Sequence, residues 1–156
     1  MLDHFFTLPQ KLKTMKKTII LACLFIASTF SLQAQFHYGG GVQYNIDASV
    51  LGFQGKLFYE YDEAYRGSGT FTFHLDDVLN WTIDLDGHYK LFQIFENLNF
   101  APLGGLSIIN FTGDTRIGLN IGAFLDKEIK DRYYYLEPKL TFRDGSAFII
   151  SAGTFF

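Results

Sequence analysis

The chain has 156 residues, about one domain's worth, and 28 of them are aromatic (18 Phe, 9 Tyr, 1 Trp). A single Cys excludes a disulfide framework or a Cys-rich zinc site, and a net charge of −3 without a basic stripe argues against a nucleic-acid partner. Low charge with many aromatics and 15 Gly argues against disorder and points to an all-β chain, since aromatics suit strands and Gly suits turns and bulges.

Residues 1–35 read as a secretory signal peptide. Lys16 and Lys17 precede the apolar run Thr18 to Phe30, and the small and polar residues Ser31 to Gln35 follow it. A spanning helix needs about 20 apolar residues, so the run is too short to cross a membrane. Cleavage is expected after Ala34 or Gln35, and Met15 is a candidate true start. Cys23 lies inside the apolar run and is read as part of it, not as a lipidation site. Without residues 1–35, nine basic and fifteen acidic residues remain, net −6, with no Cys.

Residues 36–156 form one domain with a period of two. The first strand sets Phe36, Tyr38, Gly40, Val42, Tyr44 and Ile46 against His37, Gly39, Gly41, Gln43 and Asn45. The second sets Leu51, Phe53, Gly55, Leu57, Tyr59 and Tyr61 against Gln54, Lys56 and Glu60, with Phe58 out of step. The third runs from Tyr65 to Leu75 with Arg66, Ser68, Thr70, Thr72 and His74 on its polar face. The fourth is the cleanest, with Trp81, Ile83, Leu85, Gly87, Tyr89 and Leu91 against Thr82, Asp84, Asp86, His88 and Lys90. A fifth strand spans Leu98 to Ile109, where Pro102 is expected to mark a bulge or the strand's first turns. After a loop at Asn110–Asp114, the sixth carries Ile117 to Leu125. Asp126–Asp131 reads as a charged turn. The seventh runs from Tyr134 to Phe142, Arg143-Asp144-Gly145 forms a hairpin turn, and the eighth runs from Ala147 to Phe156. Eight strands in 121 residues, each close to the roughly 9–11 residues of a spanning strand, suit a small membrane barrel.

Alternation is common to a soluble barrel, apolar inside, and to a membrane barrel, apolar outside. The membrane arrangement is favoured here. The polar face carries charges of both signs in mid-strand, aromatics gather at strand ends as interfacial girdles do, Gly is frequent within strands, and the chain closes on Phe156 at the end of an alternating strand. The expected fold is therefore an all-β, eight-stranded antiparallel up-and-down transmembrane β-barrel. Its polar lumen network is expected to comprise Lys56, Glu60, Arg66, Asp84, Asp86, His88, Lys90, Arg116, Glu137 and Lys139.

Three stretches carry a resemblance. Asp86-Gly87-His88-Tyr89 leads to Phe100-Ala101-Pro102-Leu103-Gly104-Gly105-Leu106; Gly118 to Ala123 reads GLNIGA; and the end, Phe148 to Phe156, reads FIISAGTFF. These resemble the outer-membrane β-barrel (porin-family) proteins of Gram-negative bacteria, in order along the whole of residues 36–156. The resemblance implies a small eight-stranded barrel of the cell outer membrane with no catalytic residues. Thr154 departs from it, standing where the family usually has a large residue. A terminal aromatic such as Phe156 is the signal that barrel assembly machinery reads. The expected partners are that machinery and outer-membrane lipid, and a monomer is expected.

No chemistry displaces this reading. Asp84, Asp86 and His88 alternate about 7 Å apart along one face, a spacing conceivable for a metal, but buried charges in a narrow barrel must be paired in any case. Neither a metal nor any other cofactor is expected. Gly39-Gly40-Gly41 lies within a strand, with no helix after it to cradle a phosphate. There is no G-x-S-x-G elbow, and no His-x-Ser pair of the kind used by deacylating barrels. Glu60 and Glu137 are conceivable as an acid and base pair but nothing marks them. The expected function is a non-enzymatic envelope or surface-binding barrel. The alternative is a soluble periplasmic lipocalin-like barrel carrying an apolar ligand.

Overall fold

The computed structural model describes residues 35–95, 98–130 and 132–156. The predicted signal peptide lies outside them, except that Gln35 opens the first strand. Nine strands follow: β1 Gln35–Asn45, β2 Val50–Glu60, β3 Tyr65–His74, β4 Leu79–Tyr89, β5 Phe92–Phe95, β6 Leu98–Phe111, β7 Asp114–Ile129, β8 Arg132–Phe142 and β9 Ser146–Phe155. Every pairing is antiparallel. β1 pairs with β9, and β4 with β6, so eight strands close a ring and β5 stays outside it, paired to β6 alone. Closure matters because an open edge leaves backbone groups unpaired, which lipid cannot satisfy.

The strand lengths follow from the alternation. The eleven residues of β2, at about 3.3 Å each and tilted by about 40°, rise about 27 Å, close to the lipid-facing band of a membrane barrel. The connections are tight. Ser49 adopts φ 55° in the β1–β2 turn, and Gly113, at φ 92°, closes the β6–β7 turn in a conformation that a side chain would strain. At the β3–β4 turn the Asp76 carboxylate accepts from the amides of Leu79 at 2.8 Å and Val78 at 3.0 Å. These bonds hold its pKa below the usual carboxylate value.

Three expectations need correction. Residues 126–129 are strand, not turn: β7 runs to Ile129 because Asp126 keeps the inward alternation of Phe124 and meets Arg66 across the barrel. The loop expected at Asn110–Asp114 shrinks to Thr112–Gly113 as both strands extend. Pro102 marks no bulge. It pairs with Ala123 of β7, and on its other side lies between the end of the β4 ladder at Leu103 and the first β5 pair at Phe100, where no donor is required. Register shifts along β6 lie elsewhere, opposite Gln93–Phe95 of β5 and, at its far end, opposite Leu79–Trp81 of β4. Pro138 is accommodated in the same way, because the β7–β8 ladder lapses between Gly122 and Leu125, opposite it. β5 escaped the sequence reading because its four residues, Phe92 to Phe95, do not alternate in burial; all are exposed.

Candidate functional site: the barrel interior

The residues sort by face in the inverse of a soluble protein. Leu57 is 62% exposed, Leu85 55%, Ile117 69% and Ile121 60%, while Lys56 is 2%, Asp84 1%, Glu137 0% and Lys139 1% exposed. The apolar face of the ring strands points out, and the mid-strand charges point in.

The interior is layered. At mid-height, β2, β4, β7 and β8 converge on a charged layer. Lys139 donates to Asp84 at 2.6 Å, and its ammonium lies 3.4 Å from Glu137 and 3.6 Å from Asp86. Lys56 donates to Glu137, and Ser107 to Asp84. Asn120 bridges the two aspartates through its side-chain nitrogen, 2.9 Å from Asp86 and 3.2 Å from Asp84, while its oxygen accepts from Thr141 at 2.8 Å. Two ammoniums thus face three carboxylates, and Ser107 and Asn120 supply neutral hydrogen bonds to the aspartates, as burial of charge favours.

Toward the chain termini lies an aromatic layer of Phe58, Phe124, Tyr135 and Phe155, closed by Ala101 and Leu103. Phe124 stacks on Phe58 and Tyr135 at centroid distances of 5.3 and 5.5 Å, and meets His88 edge-on at 4.8 Å. The Lys56 ammonium lies 5.2 and 5.0 Å from the Phe124 and Tyr135 ring centres, so the two layers are joined by cation–π contact. Gln54 donates to the Tyr135 hydroxyl. A Cβ built on Gly41 or on its cross-strand partner Gly153 would lie 2.6 Å from that hydroxyl. These two glycines therefore leave room for the phenol, while Gly39 is kept small by the Thr154 carbonyl and the Phe155 ring. Gly153→Leu is expected to destabilise the barrel by about 1–3 kcal/mol through overpacking, measured by denaturant unfolding; Gly55→Leu, at an open outward site, is the comparison expected to cost less.

Beyond the aromatic layer, Arg66 donates to Asp126 at 2.7 Å and lies 3.3 Å from Glu60, which in turn lies 3.7 Å from Lys90. Glu60 and Lys90 are partly exposed there, at the mouth rather than in the sealed interior. The predicted network is thus distributed over two clusters: Lys56, Asp84, Asp86, Glu137 and Lys139 at mid-height, and Glu60, Arg66 and Lys90 at the terminal end. His88 stands between them, its Nε2 2.9 Å from the Ser68 hydroxyl. Asp84 and Asp86 therefore share Lys139 and Asn120, while His88 turns to Ser68. Glu60 and Glu137 belong to separate clusters.

Arg116 departs from the expectation. It is exposed at the opposite rim, bonded to Asp114 at 2.6 Å and Asp144 at 2.7 Å, because β7 begins at Asp114 and its first turn-side residues stand clear of the lumen. Asp126, Asn120, Tyr135 and Phe58 were not singled out for the network, although Phe58 breaking the alternation of β2 was the available signal. Phe156 is exposed on the outer surface. Its amide donates to the Tyr38 carbonyl at 2.9 Å, and its ring lies 6.3 Å from that of Tyr38 and 5.7 Å from the Arg132 guanidinium.

No protein-family model matches the chain, and no curated protein matches its sequence. Among solved structures, the chain is similar to the N-terminal β-barrel domain of Pseudomonas aeruginosa OprF, with a TM-score of 0.67 and 17% identity over 80% of this chain and 98% of that one. The chain has the fold of the small eight-stranded outer-membrane β-barrels. The attachment invasion locus protein Ail of Yersinia pestis also aligns, over 79% of this chain and 96% of its own, at a TM-score of 0.39 and 17% identity.

Proposed function

We propose that this barrel is an integral, non-enzymatic protein of the Gram-negative outer membrane, with a lumen closed by its own side chains and a role in envelope structure or surface binding. The observation that carries this reading is the inside-out sorting: ion-paired Lys139 and Glu137 within, Leu57 and Ile117 without. A soluble carrier needs the reverse, because a continuous apolar surface in water drives association, whereas in lipid the same surface is favourably solvated. Outer-membrane lipid and the assembly machinery are its partners on this reading, and the barrel acts as a monomer. The start of β1 and the end of β9 lie at one end, as an even number of ring strands requires, and on this reading that end faces the periplasm.

Fractionation tests the location. The protein is expected in the outer-membrane fraction with heat-modifiable migration on gels, and recovery in a detergent-free periplasmic extract would sink the reading. Closure of the lumen is tested separately. An eight-stranded ring has room for little beyond side chains, and the charged and aromatic layers fill it. Planar bilayers are expected to show no conductance of large-porin size.

A further inference from the structure

At the end of the barrel opposite the termini, the interior changes character. Apolar side chains join the inward set there: Val50, Leu79 and Ile109 form a cluster of their own, each 7% exposed, and Ile149 lies at 6%, beside the buried polar Asn45, His74 and Thr82. In front of them a cavity of about 430 Å³ is left unfilled, with a polar floor that includes Gln43 and Thr141. At the terminal end, by contrast, the rings pack on one another and the remaining space is about 190 Å³. The larger chamber falls within the roughly 300–1,000 Å³ of small-molecule sites, which likewise combine apolar walls with a few polar groups.

Its rim adds a charge. Two guanidiniums gather on the Phe111 ring, Arg143 at 4.4 Å and Arg116 at 5.6 Å from its centre. Arg116 is already bonded to Asp114 and Asp144. Arg143 has no carboxylate within ion-pair distance among the described residues; burial and the neighbouring Arg116 lower its pKa from the usual value, against a smaller opposing effect of Asp144. A cation without an ion-pair partner therefore stands at the lip of a part-apolar chamber whose lining also holds Asp76 and Asp144.

We propose that this chamber binds a small amphiphilic organic anion, an aryl- or alkyl-carboxylate, with its apolar body against Val50, Leu79, Ile109 and Ile149 and its head on Arg143. The site rests on the reading that the barrel stands in a membrane with this mouth open to water. The bound carboxylate supplies the partner that Arg143 lacks, and the body removes the apolar wall from water.

The test is a titration of the barrel, methyl-labelled at Ile, Leu and Val and held in lipid nanodiscs, with 4-phenylbutyrate. Saturable shifts are expected at the methyls of Val50, Leu79, Ile109 and Ile149, with none at the lipid-facing Ile117 and Ile121. Arg143→Gln is expected to raise Kd about tenfold, the worth of one charge-assisted hydrogen bond. The uncharged 4-phenylbutyramide is expected to bind the wild type about as weakly as 4-phenylbutyrate binds that variant. Ile109→Trp, which fills the chamber, is expected to abolish the shifts; heat-modifiable migration verifies that both variants fold. Shifts that never saturate, or that appear equally at Ile117 and Ile121, would reveal partition into the bilayer and overturn the site. An unchanged Kd in Arg143→Gln would overturn it equally. Neither result touches the membrane reading, whose failure is read from fractionation.

Discussion

Replacing Lys139 by methionine is expected to destabilise the folded barrel by about 3–5 kcal/mol, the usual consequence of removing one partner from a buried charge cluster. Lys139 touches Asp84, Asp86 and Glu137 at once, and Lys56, the other ammonium of the layer, is itself engaged with Glu137. Without Lys139 the two aspartates retain only the Asn120 amide and the Ser107 hydroxyl. Neutral dipoles offset little of the desolvation of two carboxylates. Reversible denaturant unfolding from lipid vesicles reads the effect. Thr141→Val, which removes one neutral hydrogen bond to Asn120 in the same layer, is expected to cost about 1 kcal/mol. Adding Asp84→Asn to the Lys139→Met background is expected to restore part of the loss, because one uncompensated charge is then gone. A Lys139→Met barrel as stable as the wild type would mean that water reaches the layer and that the lumen is not closed there.

Leu85→Arg is expected to cost about 2–4 kcal/mol in a bilayer, the penalty measured for a lipid-facing charge near the midplane. Leu85 is 55% exposed on β4, flanked along the strand by Asp84 and Asp86 of the mid-height layer, so it stands near the middle of the lipid-facing band. The substitution separates the two readings of this surface. On a soluble barrel, a charge at a half-exposed leucine is worth less than about 0.5 kcal/mol and improves solubility. In a membrane barrel the same arginine must deform the bilayer or drag water to its guanidinium. Unfolding free energies in vesicles, compared with those of Asn80→Arg at the rim, are expected to show the depth dependence.

The alternation written in residues 36–156 determined much by itself. Period two requires strands, eight runs of about eleven residues suit a small barrel, and the mid-strand charges on one face include the five ionic side chains of the mid-height layer but not its Ser107, Asn120 and Thr141. These properties are local: the pleat places residues i and i+2 on one face whatever lies beyond it. What the pleat leaves open is the face that turns inward, because the same alternation serves a lipocalin and a membrane barrel. Only ring closure, with β1 on β9 and β4 on β6, decided that Lys139 is sealed in and Leu85 faces out.

Other features were illegible for the same reason. Asp126 sits in a mixed-charge, turn-like stretch, and becomes an interior residue because Arg66, sixty positions earlier, lies across the lumen from it. Arg116 alternates correctly with its neighbours yet stands at the rim, since height along the barrel depends on strand stagger, which no single strand encodes. Phe58 breaks its strand's pattern to stack with Phe124, and at Gly41 and Gly153 the neighbouring strand's backbone and the hydroxyl of Tyr135, from a third strand, together occupy the side-chain space. The sequence thus determined the strands and their two chemistries. The tertiary structure alone decided inside from outside, and depth from rim, because both are relations between strands distant along the chain.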